Sequence, residues 1–325
     1  MSRRFITELT DGEAVDQVFL AAEKQLRPNR TGSLYLQVRL SDRTGSITSM
    51  MWNADQKHYE SFANGDFLRI KGNAQFYNGN MQVIVKSITK VDPDQIDRVD
   101  FETVSSKQID ELFAEVAAKL RAMNNYYLKN LAESILVDNE LMGQLRRAPA
   151  GVKNHHAYQG GLLAHIVSLM RVAAAVAPHY EELDADLLLM GVVLHDLGKV
   201  EELTYESDLG YSDAGQLLGH IVQGVGILDR KIAETEKQMA EPFPVELGLR
   251  LKHMVVSHHG DYEFGSPKLP MTFEAIALHY LDNLDAKIAN VRQLIAEDAN
   301  ASSNWTSYNP QLGRKILKGS TDKGS

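Results

Sequence analysis

From Leu34 to Leu40 apolar and polar positions alternate, Leu34, Leu36, Val38 and Leu40 against Tyr35, Gln37 and Arg39, the period of a strand with one buried face. Val15–Gln25, Gly45–Trp52, Phe67–Gln75 and Met81–Thr89 predict four more strands, with a turn at Asp42–Gly45, a short helix over Asp55–Phe62 and a hairpin signal at Asn78-Gly79. Val91–Val104 is polar, and Asp92-Pro93-Asp94 ends the last strand. From Ser106 the period changes. Ile109, Leu112, Phe113, Val116 and Leu120 share a helical face, continued by Tyr127, Leu131, Ile135 and Leu136, until Pro149–Gly151 breaks it. Further apolar helices follow around residues 162–170, 187–199, 216–228, 247–256 and 273–288.

Five strands with a helix between the third and fourth predict an all-β, OB-fold-like barrel over residues 1–92. A linker over 93–105, an all-α bundle over 106–300 and a polar tail over 301–325 complete a multidomain chain. Its 325 residues exceed one ordinary domain. The tail carries Trp305 and Tyr308 beside Arg314, Lys315 and Lys318, so it is either disordered or a further aromatic and basic contact for nucleic acid.

Net charge is −9, the wrong sign for a simple nucleic-acid binder, but the charge is uneven. Residues 1–92 hold 12 Lys and Arg against 10 Asp and Glu, and the other 233 hold 22 against 33. The acidic excess belongs to the helical part, as solvated surface. No run of about 18 apolar residues marks a membrane span, and the two arginines at the start have no apolar segment behind them. The chain reads as cytoplasmic. With no cysteine, disulfides and thiolate ligands are excluded, leaving imidazole and carboxylate chemistry for hard or borderline metals such as manganese, magnesium or iron.

Of 11 histidines, His58 is alone in the first part and the other ten follow residue 150. His165, the pair His195-Asp196, His220, the pair His258-His259 and Asp282 each interrupt an apolar helical run. One ligand per helix on an otherwise greasy face is how metal sites are built inside bundles. A buried carboxylate also becomes tolerable beside a cation. Lys199, three residues beyond Asp196, is within one helical turn of it and reads either as a phosphate-binding ammonium or as a surface lysine. His155 and His156 lie before two glycines that let backbone approach closely, and line the substrate route or act as outer partners. Spacing makes His253 and His279 structural and Asp285 an outer-shell candidate. On the barrel, Tyr35, Arg39, Trp52, Arg69, Lys71, Phe76 and Tyr77 are candidates for a nucleic-acid face, or ordinary strand and core residues.

The order His, His-Asp, His, His-His, Asp resembles the HD superfamily of metal-dependent phosphohydrolases. That resemblance implies one metal on His165, His195, Asp196 and Asp282, with Asp196 bridging to a second on His220, His258 and His259. Two departures are visible: Gly161 stands where some two-metal relatives carry a glutamate, and the stretch after His258-His259-Gly260 lacks the glycine-tyrosine-proline signature of cyclic-di-GMP phosphodiesterases.

With an OB-like domain in front, HHAYQGGLLAH, HDLGK, SHHGDYEFGSPKLP and LHYLDNLDAKI closely resemble the YhaM family of bacterial 3′-to-5′ exoribonucleases. The resemblance is densest over residues 150–290. It implies single-stranded RNA as substrate, some action on single-stranded DNA, release of 5′-nucleoside monophosphates, and two divalent ions, manganese first, with magnesium, iron, cobalt or nickel as alternatives. Asp196 and Lys199 would then be catalytic. Rival readings are a nucleotidase or cyclic-nucleotide phosphodiesterase with a regulatory barrel, a binding factor with a vestigial site, and a di-iron oxygenase. Apolar helical faces beyond the needs of one core are candidate homo-oligomer contacts.

Overall fold

The computed structural model describes residues 3–77, 80–101, 104–151, 158–205, 210–298, 303–310 and 312–319. The chain divides into two compact units, residues 1–103 with 206–208 and 291–325, and residues 104–205 with 209–290.

In the first unit β1 (Ala14–Pro28), β2 (Leu34–Asp42), β3 (Gly45–Trp52), β4 (Phe67–Tyr77) and β5 (Asn80–Val91) close a barrel in the order β1-β2-β3-β5-β4. Only the β3–β5 pairing is parallel. Alternation puts Phe19, Leu36, Val38, Leu40, Leu68, Ile70 and Val83 inside, each nearly or wholly inaccessible. One strand serves two neighbours because β1 bends at a bulge between Ala22 and Gln25, where Glu23 has φ 50°. Its first half pairs with β4 and its second with β2. The short helix α1 (Gln56–Glu60) starts where Asp55 accepts from the His58 N–H at 3.0 Å. The strands and helix therefore lie where the alternation placed them, while the Asn78-Gly79 hairpin signal falls outside the described residues.

Part of the polar segment after β5 belongs to this unit rather than standing free. The Phe101 ring meets Phe67 edge-on at 4.9 Å, and the Arg43 N–H donates to the Asp100 carbonyl at 2.9 Å. Near the other end, isolated bridges join Trp305 to Leu317 and Asn309 to Arg314, Thr306 is buried, and Lys318 pairs with Asp298 at 2.8 Å. The stretch 303–319 thus has local order, apart from position 311, which is not described.

The second unit is helical: α2 (Ser106–Arg121), α3 (Tyr126–Leu136), α4 (Asn139–Arg147), α5 (Gly161–Val176), α6 (Ala185–Leu194), α7 (Lys199–Glu202), α8 (Asp213–Met239), α9 (Val245–Ser257) and α10 (Phe273–Glu297). Side chains cap the early ones: Ser105 begins α2, Asn125 α3, Asp138 α4 and Asp184 α6. From Leu187 to Leu194 only Leu189 is not fully buried, so α6 is the helix the others surround. Gly191 permits this on one side, since a Cβ there would overlap the Met254 side chain. By length and hydropathy Gly161–His179 would also qualify as a membrane span. Its apolar residues Leu162, Leu163, Ile166, Leu169 and Met170 are instead inside the core.

Glu201 and Glu202 lie on α7, and Leu203–Thr204 pairs with Gly210–Tyr211. One local reading of the sequence is corrected: the run around His220 is not one regular helix. At Gly219 the backbone leaves the helix (φ 71°, ψ 163°), and the second segment restarts at His220.

Candidate metal centre and nucleic-acid face

The fold brings all seven predicted ligands into one buried cluster, in two groups. His165 on α5, His195 just after α6 and Asp282 on α10 offer atoms within 4.8 Å of one another, as do His220 on α8 with His258 and His259 after α9. Asp196 lies between them. Its Oδ2 is 3.4 Å from His195 Nε2 and 4.0 Å from His165 Nε2, while its Oδ1 is 3.5 Å from His220 Nε2 and 3.7 Å from His258 Nε2. One oxygen faces each group.

Every imidazole is anchored through Nδ1. His195 donates to the Val192 carbonyl at 2.8 Å, His258 to Val255 at 2.7 Å and His259 to Phe264 at 2.9 Å. His165 Nδ1 meets Asp285 Oδ2 at 3.0 Å, and His220 Nδ1 meets Glu202 Oε1 at 3.2 Å. A carbonyl can only accept, so Nδ1 carries the proton and Nε2 keeps its lone pair. The Nε2 atoms of His195, His220 and His258 are buried with no hydrogen-bond partner among the described residues. Three orphaned basic nitrogens are costly in a protein interior; aimed at two carboxylates, they fit divalent ions, with outer partners already fixing each ring.

Lys199 is not a surface lysine, since Nζ donates to Asp196 Oδ2 at 2.6 Å and to the Ala150 carbonyl at 2.7 Å; the third N–H of its ammonium is left for a phosphate oxygen. Burial pushes the ammonium down, but Asp196 outweighs it and the pKa rises. Burial likewise opposes ionisation of Asp196, yet Lys199 and His195 hold it well below the carboxylate range.

Among the outer residues, Asp285 also accepts from Ser168 Oγ at 2.7 Å, and His279 Nδ1 donates to the His258 carbonyl at 2.8 Å. Gly260, in the left-handed region (φ 83°), lies against the His279 ring where a Cβ would collide. His253 Nε2 accepts from the Met271 N–H, a structural contact. Glu202 was missed by sequence reasoning. His155 and His156 lie outside the described residues.

His165 differs in proton state from His258 and His259. Burial lowers His165, but Asp282 and Asp285 outweigh it and raise its pKa to about 9. Burial keeps His258 and His259 below 6.5, hence neutral at pH 7. In the metal-free protein a proton on His165 therefore stabilises the fold below pH 6.5, and that contribution is lost as pH rises through about 9. An ion entering the first group must displace this proton. Its affinity should accordingly climb about tenfold per unit from pH 7 to 9 and then level off. Metal titrations at pH 7, 8 and 9.5 check this, and an affinity unchanged between pH 7 and 9 would contradict it.

The barrel candidates separate by register. Tyr35 pairs directly with Trp52, their rings 5.3 Å apart, and Trp52 is 47% exposed. Arg39, Thr48, Gln82 and Gln75 form one row of register partners across β2, β3, β5 and β4. Trp52 also borders a groove of about 400 Å³ with Asn73, Gln75 and Ile84. Arg69 and Lys71 sit instead on the β1–β4 seam beside Asp16, at 2.7 and 3.6 Å. Arg39 is paired with Glu23 at 3.0 Å. Phe76 and Tyr77 are exposed at the end of β4.

Comparison with known proteins adds to this geometry. Residues 18–91 match the model of the OB-fold nucleic acid binding domain, and residues 162–287 that of the HD domain. The 3′-5′ exoribonuclease YhaM of Bacillus subtilis is 34% identical over 278 residues, covering 85% of this chain and 86% of that protein. The protein of the same name from Shouchella clausii is 33% identical over 318 residues, 94% of this chain and 97% of that one. Among solved structures, a domain of replication protein A from Methanococcus maripaludis aligns at 20% identity over 27% of this chain and 94% of its own, with a TM-score of 0.24.

Proposed function

The chain belongs to the YhaM family of 3′-5′ exoribonucleases, and from that premise we propose that its His–Asp cluster is a two-ion phosphodiesterase centre that removes nucleotides one at a time from the 3′ end of single-stranded RNA. The observation that carries the reading is the placement of Asp196, one carboxylate oxygen toward each group of histidines.

When bound, the two divalent ions neutralise charge on the phosphate oxygens and make the attacking water more acidic. His165, His195, Asp282 and Oδ2 of Asp196 would hold one ion, and His220, His258, His259 and Oδ1 the other. Lys199 keeps Asp196 ionised and oriented, so its catalytic part is exerted through that carboxylate. Water adds to phosphorus, the bond to the 3′ oxygen of the penultimate nucleotide breaks, that oxygen takes a proton, and a 5′-nucleoside monophosphate leaves. Five imidazoles and no thiolate favour a first-row ion such as manganese over magnesium.

The Tyr35–Trp52 pair and the amide row beside it offer stacking and hydrogen bonds to unpaired bases. Stacking of this kind tolerates any base and accepts single-stranded DNA as well. The Arg69 and Lys71 seam offers phosphate contacts, partly offset by Asp16.

A 5′-labelled single-stranded RNA incubated with manganese should give a ladder shortening from the 3′ end, abolished by chelator and weaker with magnesium. In the same assay Trp52→Ala should raise KM for long RNA severalfold, leaving hydrolysis of a dinucleotide unchanged. Intact RNA alongside hydrolysis of mononucleotides would replace this reading with the nucleotidase one.

A further inference from the structure

His220 owes its place to a residue from another element. Ser212 caps the first segment of α8, its side chain accepting from the Gly215 N–H at 2.9 Å. The second segment restarts at His220 after the kink at Gly219 and has no such neighbour. Its free N–H is taken by Glu202 Oε1 at 3.0 Å, and the same oxygen lies 3.2 Å from His220 Nδ1. Glu202 is 18 residues earlier in sequence and only 8% exposed.

Three glycines permit the arrangement. Gly219 supplies the left-handed turn, Gly215 lets α8 lie on the Glu202 backbone, where a Cβ would be 2.1 Å from the Glu202 carbonyl oxygen, and Gly198 does the same against the His220 carbonyl at 2.0 Å. His258 and His259 need no such help, since nearby carbonyls hold them. In the first group, His165 has its own remote carboxylate in Asp285.

Resting on the two-ion reading, we infer that Glu202 is the positioning residue of the second ion site, and that without its carboxylate the centre holds one ion instead of two. Glu202 ligates nothing. It fixes the ring plane and tautomer of His220 and seats that residue as the first of a helix segment. Burial disfavours its charge, but the two contacts from His220 and the nearby Lys199 keep it ionised.

The test counts manganese bound per full-length chain after loading and gel filtration, together with the affinity of each ion. Glu202→Ala should bind one ion, with the first site's affinity unchanged. Glu202→Gln retains an oxygen that can accept both hydrogens, so it should restore the second ion with an affinity about 10 to 100 times weaker than wild type. Two ions at wild-type affinity in Glu202→Ala, loss of both together in either variant, or no rescue by glutamine would overturn the assignment. If the wild-type chain itself binds one ion, the two-ion reading fails and takes this inference with it. Degradation of RNA by that one-ion chain would leave the exonuclease activity standing.

Discussion

Asp196→Asn is expected to lower RNA hydrolysis by on the order of 10³-fold and to leave one bound ion per chain. The reason is the asymmetry of an amide. Each carboxylate oxygen of Asp196 faces one group of histidines, whereas asparagine has one oxygen and an NH2 that cannot ligate. Lys199 Nζ lies 2.6 Å from Oδ2 and needs an acceptor, so the amide oxygen turns to that side. The NH2 then points at His220 and His258, and theirs is the ion that is lost. Folding is also weakened, because a buried ammonium loses its counter-charge, so melting of the metal-free variant should be recorded beside the rate. A folded variant with activity within tenfold of wild type would remove Asp196 from the centre of the reaction.

The second large effect comes from a residue that touches no ligand side chain. Gly198 has φ −62° and ψ −17°, ordinary helical backbone that alanine adopts readily. Propensity alone would make Gly198→Ala neutral or stabilising. Contact reverses the sign: the new Cβ would lie 2.0 Å from the His220 carbonyl oxygen and 2.6 Å from the Gly224 nitrogen, both backbone atoms that cannot rotate away. Either α7 or α8 must move, at a cost of about 3 kcal/mol, equivalent to a fall in melting temperature on the order of 10 °C. Because α8 carries His220, the second ion should weaken as well. A variant that melts like wild type would show that the packing of α7 on α8 is looser than its geometry implies.

How far these residues could be read from sequence depends on whether their role leaves a periodic trace. The strand Leu34–Leu40 and the short helix after Asp55 are legible because alternation and a capping aspartate are local signals. The ligands are legible for a related reason: each is a lone polar group on an apolar helical face, as with His165 among Leu162, Leu163 and Ile166. Glu202 leaves no such trace, since its partner is 18 residues away and its neighbourhood looks like any polar loop. The kink at Gly219 is hidden because the run from Leu217 to Leu228 keeps helical spacing on both sides of it. On the barrel, composition singled out aromatic and basic residues but could not separate Tyr35 and Trp52 from Arg69 and Lys71. That division is set by which strands pair, a long-range property.

His165 and Asp285, which holds its ring, stand 120 residues apart in the chain, and the ligands between them come from four further points along it. An ion bound across such points closes loops of roughly a hundred residues, a constraint that in a disulfide of similar span is worth about 4 to 5 kcal/mol. This chain has no cysteine, so among the described residues the two His–Asp groups, once they hold an ion, are its candidates for a cross-link. Since binding favours the native state in proportion to free ion over Kd, the lifetime of the folded enzyme is tied to the supply of that ion, and scarcity would thin the population as well as silence it.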